Sequence, residues 1–241
     1  MFQGLARWAQ SVYENLCGDF YVNFIKDGRW HYLADGLLVT LKIAFFAVIL
    51  GAVLGALVAM VRTDRDMTGR KAFLNAVCRA YVAFVRGTPV VVQLLILYFL
   101  VFTSPAVSKV TVAVLTFGLN SGAYTSEIFR AGIMSVDRGQ FEAGRCLGLS
   151  YGQAMRRVVL PQAVKNVLPA LGNEFITLVK ETSVAGYIAL VDLTKAGDII
   201  RGLTFSAFMP LLAVAFLYFG IVSLLSFGVT RLERRLRENE R

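Results

Sequence analysis

The sequence predicts an all-α integral membrane protein of about five transmembrane helices, with a helix-turn-helix loop on the cytoplasmic side. Three observations lead there. Hydrophobic residues make up 56% of the 241, and the mean hydropathy is +0.61, too oily for a soluble domain of this length. The apolar residues also come in membrane-spanning blocks. Gly36 to Val61 is broken only by Thr40 and Lys42, and about 20 apolar residues cross roughly 30 Å of hydrocarbon. Midway along the chain, the run FEAGRCLGLSYGQAMRRVVLP, Phe141 to Pro161, is polar and sharply punctuated.

The elements follow in order. Residues 1–35 form a polar lead on the extracytoplasmic side, without the continuous apolar core of a signal peptide, so the lead is read as retained. The first span covers 36–61. Its GAVLGAL places Gly51 and Gly55 on one small-residue face suited to close helix packing. A charged loop, RTDRDMTGRK, comes next. From Ala72 to Ser104 the chain is apolar again, and about 50 Å long if helical, too long for one span. RGTP, Arg86 to Pro89, breaks it into an amphipathic lead-in helix and a second span ending near TSPAVSK. A third span runs over 110–130, a fourth from Val167 to Ala185 and a fifth from Ala207 to Thr230. Residues 231–241 form a basic cytoplasmic tail.

Several function classes fall away. Cys17, Cys78 and Cys146 are scattered and odd in number, with neither a disulfide framework nor metal-ligand spacing. Cys17 is not read as a lipidation site. A single histidine, His31, cannot build a histidine metal centre, and it reads as interfacial or solvated. No metal site is expected. The net charge of +9 reflects cytoplasmic loops and not a nucleic-acid partner. With five spans, the 62–71 loop, the central segment and the tail lie on one side and carry fifteen basic residues against six on the other. That excess marks their side as cytoplasmic, with the N-terminus outside.

The polar run reads as two short helices at an angle. QFEAGRCL favours helix, and Gly148 permits a left-handed exit. Ser150 with Gln153 three residues on forms a capping box, and Pro161 is expected to halt the second helix. A rigid knob below the membrane suits a groove on a soluble partner; the alternative is a solvated link between spans.

The same run resembles the EAA loop of ABC-transporter permeases. Glu142-Ala143-Gly144, Gly148, Val158, Leu160 and Pro161 stand at that pattern's spacing, with Gly144 replacing its third alanine and Val158 its isoleucine. The likeness covers about residues 33–230. VRGTPVVVQLL, GLNSGAYTSEIFRAGI and LGNEFITLVKETS narrow it to the polar amino-acid uptake branch, similar to histidine, glutamine, glutamate and arginine permeases. The resemblance implies the type I ABC importer transmembrane fold over 36–230, with the coupling loop at 140–161 seated in a cleft of a separate ATP-hydrolysing subunit. The coupling residues carried over are Glu142, Ala143, Gly148, Leu149, Ser150, Leu160 and Pro161. The resemblance further implies ATPase partner subunits, a second permease chain (identical or sister), an extracytoplasmic binding protein, and residence in the inner membrane of a prokaryote. This chain would bind no cofactor; ATP and magnesium would belong to the ATPase subunit. Consistent with that division, it has no G-x-x-x-x-G-K-[ST] phosphate loop.

Polar residues inside spans are costly and so mark candidate substrate contacts. In RGTPVVVQ, which ends at Gln93, Thr88 is expected to cap a helix beginning at Pro89. The dipole of that helix would face a substrate carboxylate, as in the broken helices of transporters. Arg86 either reinforces that grip or snorkels to headgroups. Asn120, Ser121 and Tyr124 lie mid-span, and either hydrogen-bond an amino acid or pack between helices. Glu174 is the first choice for a substrate ammonium, on one stripe with Thr177 and Glu181. Glu127 and Arg130 are placed to pair with each other, and Lys42 to snorkel or pair. The alternative readings are a permease for another small polar solute, a membrane-embedded enzyme, and a passive channel. The enzyme lacks support: there is no HExxH, no nucleophile elbow and no paired histidines.

Overall fold

The computed structural model describes residues 10, 13–68 and 72–238, and no strand occurs among them. Helix α1, residues 13–20, runs into a π turn, Tyr21–Ile25. Then come α2 (Trp30–Thr68), α3 (Ala72–Gly87) and α4 (Val90–Ile96, prolonged as a π turn to Val101). These are followed by α5 (Lys109–Met134), α6 (Arg138–Cys146), α7 (Tyr151–Ala154) and α8 (Leu160–Glu181). A 3-10 segment, Thr182–Ile188, leads to α9 (Leu193–Thr204) and α10 (Phe208–Glu238).

By length and composition, α2 and α10 can each cross a membrane, and the bent pair α3–α4 counts as a possible third. Both long helices present large apolar side chains outward, among them Phe45, Ile49 and Val53 on α2 and Phe216, Phe219 and Phe227 on α10. Such a surface suits hydrocarbon, not water. Helix α5, with 26 residues, and α8, with 22, are long enough to cross but carry polar residues within.

Helices in lipid gain little from hydrophobic burial against each other, so close backbone approach has to hold them. The α2–α5 contact shows it. A Cβ added at Gly55 would lie 2.0 Å from Thr125 Oγ1, and one at Gly51 2.7 Å from Ser121 Oγ. Thr125 Oγ1 donates to Gly51 O at 2.7 Å across this seam. Around it, Ile43, Ala44, Ala47, Leu94, Phe117, Leu178 and Val179 are buried together. A second apolar cluster joins Phe24, Leu33, Leu193, Ala196, Ile200 and Val214, uniting α2, α9 and α10 with the chain end of the α1 segment.

Several boundaries differ from expectation. The helix of the first span, α2, starts six residues earlier than Gly36 and runs past Val61 to Thr68, because the charged residues there extend a helix already nucleated. The basic run after Thr230 is likewise helical, continuing α10 to Glu238. The fourth long helix begins at Leu160 and ends at Glu181; the chain then tightens into 3-10 geometry.

Pro161 does not halt the hairpin's second helix. Helix α7 passes through a π turn, Met155–Val159, directly into α8, where Pro161 sits in the first turn. A proline there lacks only an amide that the start of a helical segment can spare, and the wider π turn absorbs its ring. Pro169, deeper inside, is also accommodated.

Candidate functional site: a helical hairpin joined to polar contacts between the long helices

The hairpin is built as its residues demand. Asp137 caps α6 through Gly139 N at 2.6 Å. The helix ends in a Schellman motif: Leu149 N donates to Gly144 O at 3.2 Å and Gly148 N to Arg145 O at 3.0 Å. Gly148 has φ +84, the left-handed geometry that only glycine adopts without strain. Ser150 and Gln153 form the expected capping box. Phe141 and Tyr151 meet edge to face at 5.5 Å across the angle. Gly144 is buried against the second helix, and a Cβ there would meet Ala154 and Val158 at 3.5 Å, ordinary contact, so an alanine fits as well.

Glu142, Ala143, Ser150 and Leu160 face solvent and Leu149 does so partly, while Leu147 at the tip is 84% exposed. Phe141 and Glu142, with Ile133, Asp137, Arg138 and Met155, line a groove of about 320 Å³ beside the hairpin. Burial, with the Asp64 charge nearby, pushes the Tyr151 hydroxyl up.

The candidate residues in the apolar helices fall into three groups. In the first, Arg86 lies over the Tyr124 ring, its guanidinium carbon 5.2 Å from the centroid. In the second, Gln93 bridges the helix break. Its Nε2 donates to Val85 O at 2.8 Å, Thr88 O at 3.1 Å and Thr88 Oγ1 at 2.9 Å, and its Oε1 accepts from Asn120 Nδ2 at 3.1 Å. In the third, Ser121 Oγ donates to Glu174 Oε1 at 2.8 Å, joining α5 to α8. Asn120 and Ser121 are buried. Thr177 is not drawn into these groups; its hydroxyl donates to Asn173 O one turn back.

Thr88 does not cap α4. Its hydroxyl donates to Phe84 O at 2.9 Å, closing the end of α3, and Pro89 occupies the N-cap position without any side-chain bond. Gln93 makes a different polar link: its longer side chain reaches back across the 106° bend between α3 and α4 and donates to oxygens at the end of α3, leaving the start of α4 without a side-chain cap.

Other polar residues organise the surroundings. Glu127 accepts from Arg62 of α2 at 2.5 Å and from Arg130 at 3.1 Å. The Glu127–Arg130 pairing was legible at i, i+3; Arg62, 65 residues away, was not. Asp192 is fully buried and caps α9 through Thr194 N and Lys195 N, while Thr40 Oγ1 accepts from Leu193 N at 3.1 Å. An Asp before LTKAG at helical spacing was the available signal for that cap. Beyond it, hydrogen bonds from Lys195 and Arg201 hold the Asp198 carboxyl below the usual carboxylate range. His31 is exposed and stacks on Trp30 at 3.7 Å, and Lys42 is exposed on α2.

The chain is similar to known transport components. The glutamine transport system permease protein GlnP of Escherichia coli is 38% identical over 208 residues, covering 85% of this chain and 93% of that one. The arginine transport system permease protein ArtQ of Bacillus subtilis is 36% identical over 213 residues, covering 87% and 94%. A crystal structure of an amino acid ABC transporter with histidines superposes with a TM-score of 0.80 at 38% identity, over 88% of this chain and 98% of that one. The methionine transporter MetNI, at 21% identity and a TM-score of 0.71, shares the fold. Residues 47–238 match the family described as binding-protein-dependent transport system inner membrane component, and the chain belongs to that family.

Proposed function

We propose that this chain is the permease subunit of an ABC importer for a polar amino acid, moved by ATP hydrolysis on a separate subunit. The observation that carries the reading is the Ser121–Glu174 contact, a carboxylate held between two long helices beside the Asn120–Gln93 pair. Glu174 lies fourteen residues beyond Leu160, about 21 Å along the helix. A carboxylate at that depth offers an α-ammonium group a partner, and Asn120 Nδ2, which gives one N–H to Gln93, has a second N–H for a carboxylate or a polar side chain. The glutamine and arginine assigned to the named relatives support this substrate class.

The outer face of α8 supports a second permease chain. Asn166, Asn173 and Lys180, seven residues apart, are exposed on one side of a helix in the membrane. Lipid penalises such a face, whereas a second chain across a polar pathway does not. Five spans are then α2, the α3–α4 pair, α5, α8 and α10, with the N-terminus outside and the hairpin and C-terminus cytoplasmic. ATP and magnesium act on the ATPase subunit. The hairpin seats there, and because α7 runs on into α8, a displacement of the hairpin reaches Glu174 without crossing a loop.

The test is uptake by vesicles holding the permease with its ATPase subunit and candidate binding proteins, supplied with radiolabelled glutamine, arginine, histidine and glutamate. ATP-dependent accumulation of one of them is expected. Accumulation only of a solute that is not an amino acid would overturn the substrate class, and flux without ATPase subunits would favour a channel.

A further inference from the structure

We propose that α1 and its π turn lie flat in the lipid headgroup layer and anchor the C-terminal end of α9 there. Along this segment Tyr13, Leu16, Cys17, Phe20 and Phe24 share one side, with Glu14, Asn15, Gly18 and Asp19 opposite. On the apolar side only Phe24 is buried; Tyr13 is 69% exposed and Phe20 52%. The attachment to the rest of the fold is specific. Phe24 packs in the cluster with Leu193, Ala196 and Ile200 of α9. Asn23 is fully buried: its Nδ2 donates to Asp19 O at 2.7 Å, and its Oδ1 accepts from Thr204 Oγ1 at 2.7 Å, in the last turn of α9.

The junction with α2 is a fixed corner. Asp27 and Gly28 adopt φ 57 and 64, and Arg29 closes the turn onto Val22 O and Asp27. Helix α2 then starts with Trp30 and Tyr32 exposed, the residue types that collect at the membrane–water boundary. The α1 segment is therefore held at the level where a span begins. At that level an amphipathic helix with an aromatic face meets lipid. Other outward aromatics follow the point of attachment: Phe205, next to the Thr204 that bonds Asn23, is 96% exposed, and Phe208 is 65% exposed. Aromatics exposed on both sides of that attachment favour lipid over a second chain, which the polar face of α8 suits better. The family match begins at residue 47, so α1 is an element outside it. The lipid contact stands whichever way the chain is oriented; the outer leaflet is assigned only through the orientation proposed above.

The test uses the full-length permease with its ATPase subunit in lipid nanodiscs, with Cys17, Cys78 and Cys146 replaced by alanine. Single nitroxides are placed at Glu14→Cys, Leu16→Cys, Gly18→Cys and Phe20→Cys. Collision with oxygen relative to a water-soluble nickel chelate should be several-fold higher at 16 and 20 than at 14 and 18. Equal nickel access at all four would mean a solvated stripe and overturn the proposal. Protection of 16 and 20 from both reagents would mean a protein partner and also overturn it. Adding Asn23→Leu should raise the mobility of the label at 16; unchanged mobility would remove the anchoring of α9. Separately, reaction of Glu14→Cys with an impermeant thiol reagent only from the cytoplasmic side would refute the outward orientation while leaving the lipid contact intact.

Discussion

Ser121 Oγ and Glu174 Oε1 meet at 2.8 Å across the α5–α8 interface, so a neutral donor positions the carboxylate, and no salt bridge to it occurs among the described residues. No such cation therefore competes with a substrate ammonium for it. Glu174→Gln keeps an acceptor for Ser121 and removes only the charge. A charge-assisted hydrogen bond to a substrate ammonium is worth about 1.5–3 kcal/mol, so the variant should bind the amino acid roughly ten- to a hundred-fold more weakly. Equilibrium binding to the purified complex measures this, and an unchanged dissociation constant would take Glu174 out of the pocket.

Gly148 tests the hairpin's geometry. At φ +84 a proline, fixed near −65°, cannot follow the observed chain path, and the Schellman bond donated by Gly148 N to Arg145 O is lost with its amide. Gly148→Pro should insert into the membrane normally but abolish uptake while ATPase activity persists. Normal uptake by the variant, at wild-type abundance in membranes, would count against the coupling role of the hairpin.

Gly55 in the α2–α5 seam and Gly220 on the outside of α10 predict opposite signs for glycine-to-alanine changes. At Gly55 the new methyl would fall 2.0 Å from Thr125 Oγ1 and 2.8 Å from the backbone of Ser126. Overpacking of this kind costs about 1–3 kcal/mol. At Gly220 a Cβ meets nothing within 4 Å, so only the helix preference of alanine acts, up to about 1 kcal/mol in its favour. Thermal unfolding in detergent should show a lower midpoint for Gly55→Ala and an equal or higher one for Gly220→Ala.

What the sequence disclosed follows a physical line. Signals confined to a few neighbouring residues read correctly: the capping box at Ser150 and Gln153, the left-handed Gly148 and the small-residue face at Gly51 and Gly55. The helix boundaries did not, because charged residues after Val61 and Thr230 can extend a helix without being apolar. Thr88 was misread because a threonine before a proline serves equally well to cap the next helix or to close the last one; its bond to Phe84 O is decided by the bend. Gln93 and Asn120 were each visible as polar residues in apolar runs, yet their contact needs α4 folded against α5. Arg62 with Glu127, and Asn23 with Thr204, are long-range pairs that no local pattern encodes.

The continuity of α7 with α8 carries the last prediction. From Ser150 to Glu174 is 24 residues of helix, about 36 Å, interrupted only by the π turn at Met155–Val159. If displacement travels along this rod, its stiffness at the π turn sets how much hairpin motion reaches Glu174. Val159 is 4% exposed at that turn. Val159→Ala removes the two γ-methyls but leaves a good helix former; Val159→Gly also removes the Cβ and adds backbone freedom costing a further ~1 kcal/mol. Both should lower thermal stability, but only the glycine variant should raise the number of ATP molecules hydrolysed per amino acid transported. Equal ratios in the two variants would mean that the turn is a passive link, and that motion reaches the polar cluster through α5 instead.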